Sequence, residues 1–196
     1  MKKQRVSTRH LAAAITLAAS AISAPLGASR AIAAESGDVA RGAYLAKIMA
    51  CNDCHTPWKM GAAGPEPDMS RMLSGHPQDL AMPAAPAVGA GPWGWAGATT
   101  NTAFAGPWGV SFTANLTPDE NTGLGIWTEE MFIKAIRTGR HMGASREILP
   151  PMPWPNYARM TDDDLKAVYA YLRSIPAVHN RVPDPLPPAG APTPTN

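Results

Sequence analysis

The stretch that decides the fold is Cys51-Asn52-Asp53-Cys54-His55, which contains both cysteines of this 196-residue chain. Two thiols separated by two residues can add to the two vinyl groups of a haem, and the imidazole that follows can then bind the iron from one side. This C-x-x-C-H spacing is the pattern of c-type haem attachment. The sequence therefore predicts one covalently bound haem c, attached through Cys51 and Cys54, with His55 as an iron ligand.

Three other roles for the cysteine pair explain less of the sequence. An exported disulfide leaves His55 without a function. A thioredoxin-type redox pair requires a βαβ pattern that the sequence lacks, and a zinc site requires a second Cys or His pair at finger spacing. Because His76, His141 and His179 do not form such a pair, haem attachment is favoured.

The first 33 residues have the composition of a secretory signal peptide. Four basic side chains lie within residues 1–9, an apolar run covers residues 11–22, and small residues follow up to Ala33. The apolar run is shorter than the ~20 residues that a membrane-spanning helix requires, so we expect cleavage near Ala33 rather than a permanent anchor. The mature protein is then expected in the periplasm, without a transmembrane anchor, either free or peripheral at the membrane.

Removal of residues 1–33 reverses the sign of the net charge. The full chain has 17 basic and 15 acidic residues and a formal charge of +2, but residues 1–33 contain five basic residues and no acidic ones. The remaining chain has a charge of −3, and the propionates of a haem would make it more negative. A nucleic-acid partner is therefore not expected.

Residues 34–183 are predicted to form one haem domain. Hydrophobic periodicity predicts a first helix that begins near Asp38 and leads into the haem motif, with Gly42 inside it. A second helix is predicted from Thr128 to Thr138, and a third from Thr161 to about Ser174, each capped by its first threonine.

Two regions of this chain lack helical periodicity. Residues 57–107 are rich in Pro, Gly and Trp, which predicts a long irregular loop. Trp93 and Trp95 in this loop, and Trp108 directly after it, indicate that the loop packs over the haem pocket or contacts a partner protein. Residues 184–196 are rich in proline and predict a flexible tail.

The second axial ligand must come from elsewhere in the chain, because an electron carrier keeps both axial ligands in both oxidation states. Met152 lies in the stretch LPPMPWP, residues 149–155, where four prolines stiffen the backbone that holds the thioether. This pre-ordering limits the entropy lost on ligation, and methionine is an established axial ligand of haem iron. Met142 and His141 are the alternatives, although neither has comparable stiffening.

Several stretches together resemble a class I-type cytochrome c domain. Besides Cys51–His55 they are NLTPD (115–119), TGLGIW (122–127), PMP (151–153) and DDLKAVYAYL (163–172). More narrowly, residues 36–183 resemble the haem domains in cytochrome c subunits of bacterial membrane dehydrogenases that oxidise alcohols, gluconate or aldehydes.

The resemblance implies an all-α cytochrome c fold, with three to five helices around one haem and a long irregular loop insertion. It also implies that His55 and Met152 are the axial ligands. The first and last helices are expected to cross at Gly42, which would contact Tyr169 or Leu172.

These observations predict an electron-transfer protein rather than an enzyme. Single electrons would pass through a His/Met-ligated haem, from a donor dehydrogenase to an acceptor cytochrome or oxidase. The alternative is a haem enzyme or a gas sensor, which requires an open or labile sixth position on the iron. Arg140 and His141 are the candidate distal groups of such an enzyme.

Overall fold

The computed structural model describes residues 38–89 and 91–188, and the predicted signal peptide lies outside these residues. The described residues contain five α-helices: α1 (residues 38–48), α2 (Cys51–His55), α3 (Glu129–Thr138), α4 (Trp154–Tyr157) and α5 (Asp162–Ser174). They also contain two short 3-10 helices, Met69–Arg71 and His141–Gly143.

The two helices predicted after the loop are confirmed, together with their caps. Thr128 Oγ1 accepts a hydrogen bond from the third amide of α3 at 3.2 Å, and Thr161 Oγ1 accepts one from the third amide of α5 at 3.1 Å. Gly139 ends α3 in the left-handed conformation, with φ of 65°. Both helices have acidic residues in the first turn and an arginine in the last. These charges are favourable because the helix dipole is positive at the N-terminal end and negative at the C-terminal end.

Helices α1 and α5 cross at Gly42, as the resemblance implied. A Cβ atom on Gly42 would lie 2.7 Å from Cβ of Tyr171, and the carbonyl oxygen of Ala167 is closer still. The predicted contact residues, Tyr169 and Leu172, are wrong. Residues 167 and 171 are one helical turn apart, so they share the face of α5 that meets the glycine. Leu172 is buried in the core instead.

The all-α prediction is not confirmed, because two small antiparallel sheets lie between α2 and α3. In the first sheet, β1 (Trp58–Gly61) pairs with β2 (Gly64–Pro67). In the second, β3 (Ala96–Gly97), β4 (Ala103–Gly106) and β5 (Gly109–Phe112) are arranged in the order β3-β4-β5. Residues 57–107 are therefore not entirely irregular. Strands of two to four residues, rich in Gly, Ala and Pro, are too short to give a period-two pattern in the sequence.

The hydrophobic core lies where α1, α3 and α5 meet. Its buried side chains come from these helices and from the segments around residues 73, 124 and 175: Leu45, Leu73, Leu124, Phe132, Ile136, Leu165, Ala167, Val168, Leu172 and Ile175. The chain on both sides of α2 is thus held by packing that involves distant parts of the sequence.

The first residues of the predicted flexible tail are fixed to the second sheet. Leu186 and Val110 form an antiparallel bridge, with N–H···O distances of 2.8 and 2.9 Å. The tail prediction is therefore wrong at this position, and residues 189–196 lie outside the described part of the chain. Within the described residues, no helix is long and apolar enough to cross a membrane.

Candidate haem-binding site

Helix α2 brings the two cysteines and His55 to the wall of one cavity. Ala50, before the helix, has a left-handed backbone with φ of 58°, which turns the chain sharply between α1 and α2. Cys51 and Cys54 are three residues apart on a helix, so their side chains lie on neighbouring positions of one face. Both are free thiols that line the cavity together with His55.

The two thiols are not activated in the way that redox-active cysteines are. Burial is the main reason why their pKa values are raised, to about 11 for Cys51. A thioredoxin-type pair depends instead on a lowered thiol pKa. The environment of Cys51 and Cys54 therefore disfavours a dithiol redox function and is compatible with two thiols that are consumed in thioether bonds.

The imidazole of His55 is held in one orientation by a main-chain hydrogen bond. Its Nδ1–H donates to the carbonyl oxygen of Ala114 at 2.8 Å, and the residue is 8% exposed. Burial lowers the pKa of His55, and the bond to Ala114 opposes this effect only partly, so the ring is neutral at pH 7. A neutral imidazole with its proton on Nδ1 has a free lone pair on Nε2 for a metal.

The cavity has a volume of about 460 Å³, which is in the range of cofactor-binding sites. Its lining is mostly apolar and comes from many parts of the chain after α1. Its large apolar side chains are Phe104, Phe112, Leu116, Leu124, Ile126, Trp127, Phe132, Ile136, Ile148 and Leu149. A lining of this kind excludes water from a flat apolar cofactor.

Met152 lines the same cavity and is half-buried. The hydroxyl of Ser111 donates to the carbonyl oxygen of Pro150 at 2.6 Å, which fixes the proline-rich loop to β5. After the loop, the hydroxyl of Tyr157 donates to the carbonyl oxygen of Met49 at 2.7 Å. The structure thus brings Met152 to the cavity that holds both cysteines and His55, although its role as axial ligand stays a prediction.

Met142 and His141 also line the cavity. Met142 has a left-handed backbone, with φ of 54°, inside the 3-10 turn that precedes the proline-rich loop. The ring of His141 meets Trp127 edge-on at a centroid distance of 5.0 Å. Burial and the charge of Arg146 lower the pKa of His141. Position in the cavity alone therefore does not choose among the three candidate ligands.

The sequence left two interpretations for the loop tryptophans, packing over the haem pocket or contact with a partner protein. Trp93 and Trp95 do not pack over the pocket. Trp93 is 79% exposed and Trp95 is 50% exposed. Trp95 packs edge-on against Phe104, with ring centroids 5.7 Å apart. In this region the buried Phe104, and not Trp93 or Trp95, lines the cavity.

Charged side chains surround the apolar interior of the cavity. Arg146, Arg181, Glu120 and Asp184 are exposed residues in its lining. Among the described residues, neither arginine takes part in an ion pair. The donor set as a whole fits haem c: two thiols, a neutral imidazole, a thioether, an apolar interior and cationic groups at the rim.

The comparison with protein families agrees with this donor set. The family model described as "Cytochrome c" matches residues 39–176, which is more than half of the chain. The chain belongs to the cytochrome c family. Membership implies a covalently bound haem c, and Cys51 and Cys54 of this cytochrome could form the attachment motif. It also supports the cytochrome c fold, to which the two small sheets are added.

The cytochrome is similar to subunits of bacterial dehydrogenases. It is 33% identical, over 89% of its length, to the alcohol dehydrogenase (quinone) cytochrome c subunit of Gluconobacter oxydans, of which it covers 29%. It is 31% identical, over 68% of its length, to the fructose dehydrogenase cytochrome subunit of Gluconobacter japonicus, of which it covers 20%. It is 41% identical, over 35% of its length, to the gluconate 2-dehydrogenase cytochrome c subunit of Pantoea cypripedii, of which it covers 15%.

The resemblance to dehydrogenase cytochrome subunits is thereby confirmed, and the cytochrome spans less than a third of the length of these relatives.

Several parts of the cytochrome's site could not be predicted from the sequence. The acceptor for His55 is the main-chain carbonyl of Ala114, which has no side-chain signature. The hydroxyl of Ser111 donates to a main-chain carbonyl of a distant loop, that of Pro150, which no sequence pattern indicates. Arg146 and Arg181 lie outside the motifs, and the sequence does not indicate that they line the cavity.

Proposed function

We propose that the protein is a periplasmic electron carrier with a single haem, bonded covalently to Cys51 and Cys54 and ligated by His55 and Met152. The observation that carries this proposal is that the four side chains line one apolar cavity. When bound, the haem supplies a one-electron change between ferrous and ferric iron. In this proposal residues 34–183 are the haem domain, and residues 1–33 direct export.

The two proposed ligands are held by segments that are anchored on the main chain. His55 is fixed through the carbonyl of Ala114, and the loop that carries Met152 is fixed through Ser111 and Tyr157. Because both segments are anchored, neither ligand needs to move when the charge at the site changes. This rigidity supports repeated electron transfer with little reorganisation.

The surroundings of the cavity support a raised reduction potential. An apolar lining disfavours the more highly charged ferric state, and a thioether ligand favours the ferrous state. Arg146 and Arg181 provide cationic groups for the propionate carboxylates of the cofactor, since a guanidinium binds a carboxylate well. The residues of this chain thus bind, orient and tune the cofactor without acting on a substrate.

We propose that a dehydrogenase donates the electrons and that a cytochrome or an oxidase accepts them. The names of the similar proteins, which are cytochrome subunits of alcohol and fructose dehydrogenases, support the donor. An electron-transfer role requires no general acid, base or nucleophile. We therefore propose that the chain is not itself an enzyme.

One observation favours a second candidate function. Because His141 and Met142 line the cavity beside Met152, the sixth position could be labile or could have a distal proton-transfer group. A haem enzyme or a gas sensor would use such a site.

Optical spectra of the purified mature protein test the proposal. A Met-ligated ferric haem gives a weak near-infrared band from sulfur-to-iron charge transfer. We expect this band in the wild type and its loss in Met152→Ala. Met142→Ala should keep the band, and so should Met60→Ala, a matched control at a position that is 77% exposed.

Two results would contradict this ligand assignment. Loss of the band in Met142→Ala alone would assign the ligand to Met142. A high-spin ferric spectrum in the wild type would indicate an open iron site, and the enzyme or sensor function would then be preferred. The export proposal is tested separately, by cell fractionation and by sequencing the N-terminus of the mature protein, which should begin near residue 34.

A further inference from the structure

Residues 73–76 lie directly behind His55, and we name them the proximal strap. The amide of Gly75 donates to the carbonyl oxygen of His55 at 2.7 Å. The amide of Leu73 donates to Thr56 Oγ1 at 2.8 Å. The strap is therefore bonded to the end of the haem-attachment helix at two points.

The other side of the strap is bonded to the segment that contains Ala114. The amide of His76 donates to the carbonyl oxygen of Thr113 at 3.0 Å, and the amide of Leu116 donates to the carbonyl oxygen of Leu73 at 2.8 Å. Since the carbonyl of Ala114 accepts the Nδ1–H of His55, the strap connects both partners of that hydrogen bond.

Gly75 lies against the carbonyl of Ala114 that accepts this hydrogen bond. Its backbone is left-handed, with φ of 78°. A Cβ atom there would lie 2.6 Å from the carbonyl carbon of Ala114 and 2.7 Å from its oxygen, and the carbonyl oxygen of Thr113 is nearer still. These neighbours are main-chain atoms, so a side chain at position 75 can be accommodated only if the strap and the segment of Thr113 and Ala114 shift relative to each other.

A buried side chain from the far end of the domain fixes the position of the strap. Asn180 is 0% exposed, and its amide nitrogen donates to the carbonyl oxygens of Ser74 at 2.7 Å and His76 at 2.8 Å. Its amide oxygen accepts hydrogen bonds from the amide of Gln78 at 2.9 Å and from the guanidinium of Arg71 at 3.1 Å. One side chain thereby holds the strap and both of its flanks.

We propose that Gly75 and Asn180 are positioning residues for the proximal ligand, which set the strength of the His55–Ala114 hydrogen bond and through it the reduction potential. This inference rests on the proposed function, because it takes His55 as the iron ligand. A hydrogen bond at Nδ1 makes the imidazole a stronger electron donor and stabilises ferric iron. Displacement of the Ala114 carbonyl weakens that bond, so the potential rises.

Gly75→Ala tests the inference, with Gly64→Ala as the matched control. Gly64 is also left-handed, with φ of 124°, but a Cβ atom there has nothing within 4 Å, so its substitution introduces backbone strain without displacing Ala114. Both holoproteins are measured by potentiometric titration. For Gly75→Ala we expect the ferrous-to-ferric ratio at a fixed potential to increase roughly threefold, about 28 mV for a one-electron couple. Gly64→Ala should leave the ratio unchanged.

A second readout follows the hydrogen bond itself. In the ferrous protein, the NMR signal of the His55 Nδ1 proton should move upfield in Gly75→Ala and should exchange faster with solvent. If Gly75→Ala does not fold, Asn180→Ala releases the strap without adding a Cβ atom beside Ala114, and we expect the same direction of change in both measurements. Equal shifts in Gly64→Ala, or an unchanged proton signal and potential in a folded Gly75→Ala or Asn180→Ala, overturn the inference.

Failure of the proposed function is distinguishable from failure of this inference. The absence of a low-spin, Met-ligated spectrum in the wild type argues against the proposed function before any strap variant is made. If only the inference fails, the wild type still has the low-spin, Met-ligated spectrum, and the reduction potential and the Nδ1 proton signal of the variants do not change as expected.

Discussion

The crossing of α1 and α5 gives the sharpest stability prediction, through the substitution Gly42→Ala. Inside a helix this change normally stabilises by about 1 kcal/mol, because alanine has the higher helix propensity. Here the added Cβ would lie 2.7 Å from Cβ of Tyr171 and closer still to the carbonyl oxygen of Ala167. Neither atom belongs to a flexible side-chain end, so the two helices must separate.

Separation of the helices costs more than the propensity gain. Overpacking in a core typically costs 1–3 kcal/mol, and clashes with main-chain atoms belong at about the upper end of that range. After subtraction of the propensity gain, we expect Gly42→Ala to destabilise by about 2 kcal/mol. For a chain of this size, this corresponds to a fall in melting temperature of about 4–8 °C.

Thermal unfolding of the holoprotein, followed by far-UV circular dichroism, measures the effect. Gly94→Ala is the control, because a Cβ atom on Gly94 has nothing within 4 Å, and its melting temperature should match the wild type. A Gly42→Ala variant that melts at or above the wild-type temperature would refute the reasoning. The helices would then have room at their crossing, and Gly42 would not be required there.

Three further predictions concern single hydrogen bonds. Thr161→Ala removes the cap of α5 and should destabilise by about 1 kcal/mol in urea titrations, whereas Thr161→Ser should be close to the wild type. Tyr169→Phe removes the donor to the carbonyl of Trp127, at 2.6 Å, and should cost about 1 kcal/mol in the same assay. The carboxylate of Asp119 accepts a hydrogen bond from the hydroxyl of Thr122, which lowers the pKa of the carboxyl. The ionised carboxylate therefore stabilises the fold above the ordinary aspartate pKa, and this stabilisation is lost as the pH falls through the lowered folded-state pKa. Asp119→Asn should abolish this part of the loss of stability at acidic pH.

Each of these predictions has an outcome that contradicts it. A Thr161→Ser variant as unstable as Thr161→Ala would indicate that the lost methyl group, and not the cap, is responsible. An unchanged urea midpoint in Tyr169→Phe would indicate that water replaces the phenol. For Asp119→Asn, unfolding midpoints measured from neutral to acidic pH would contradict the prediction if the variant lost stability as steeply as the wild type.

The proposed haem-attachment residues could be recognised in the sequence because their chemistry is local. Cys51, Cys54 and His55 need only a fixed spacing on one short helix. The caps Thr128 and Thr161 are equally local, since each hydroxyl binds an amide three residues later. Such features depend little on the rest of the fold, and sequence spacing alone predicts them.

The residues around His55 could not be predicted, because their contacts are made through main-chain groups of distant segments. Ala114 contributes a carbonyl, Gly75 contributes the absence of a side chain, and Asn180 bonds to carbonyls more than a hundred residues away in the sequence. None of these properties has a periodic or compositional signal. The two small sheets were missed for a different reason: their pairing is local, since β1 pairs with β2 and β4 with β5 across two-residue turns, but strands of two to four residues are too short to give an alternating pattern.

The region between α2 and α3 therefore combines parts with different physical roles. Its beginning contains the proximal strap, which is bonded to His55 and to the segment of Ala114. Phe104, in β4, lines the cavity, whereas Trp93 is 79% exposed. No ionisable side chain occurs from Leu80 to Pro118, so the attachment of residues 80–118 depends on hydrogen bonds and apolar packing rather than on ion pairs of its own. Changes in ionic strength should consequently affect the charged rim of the cavity far more than the attachment of residues 80–118.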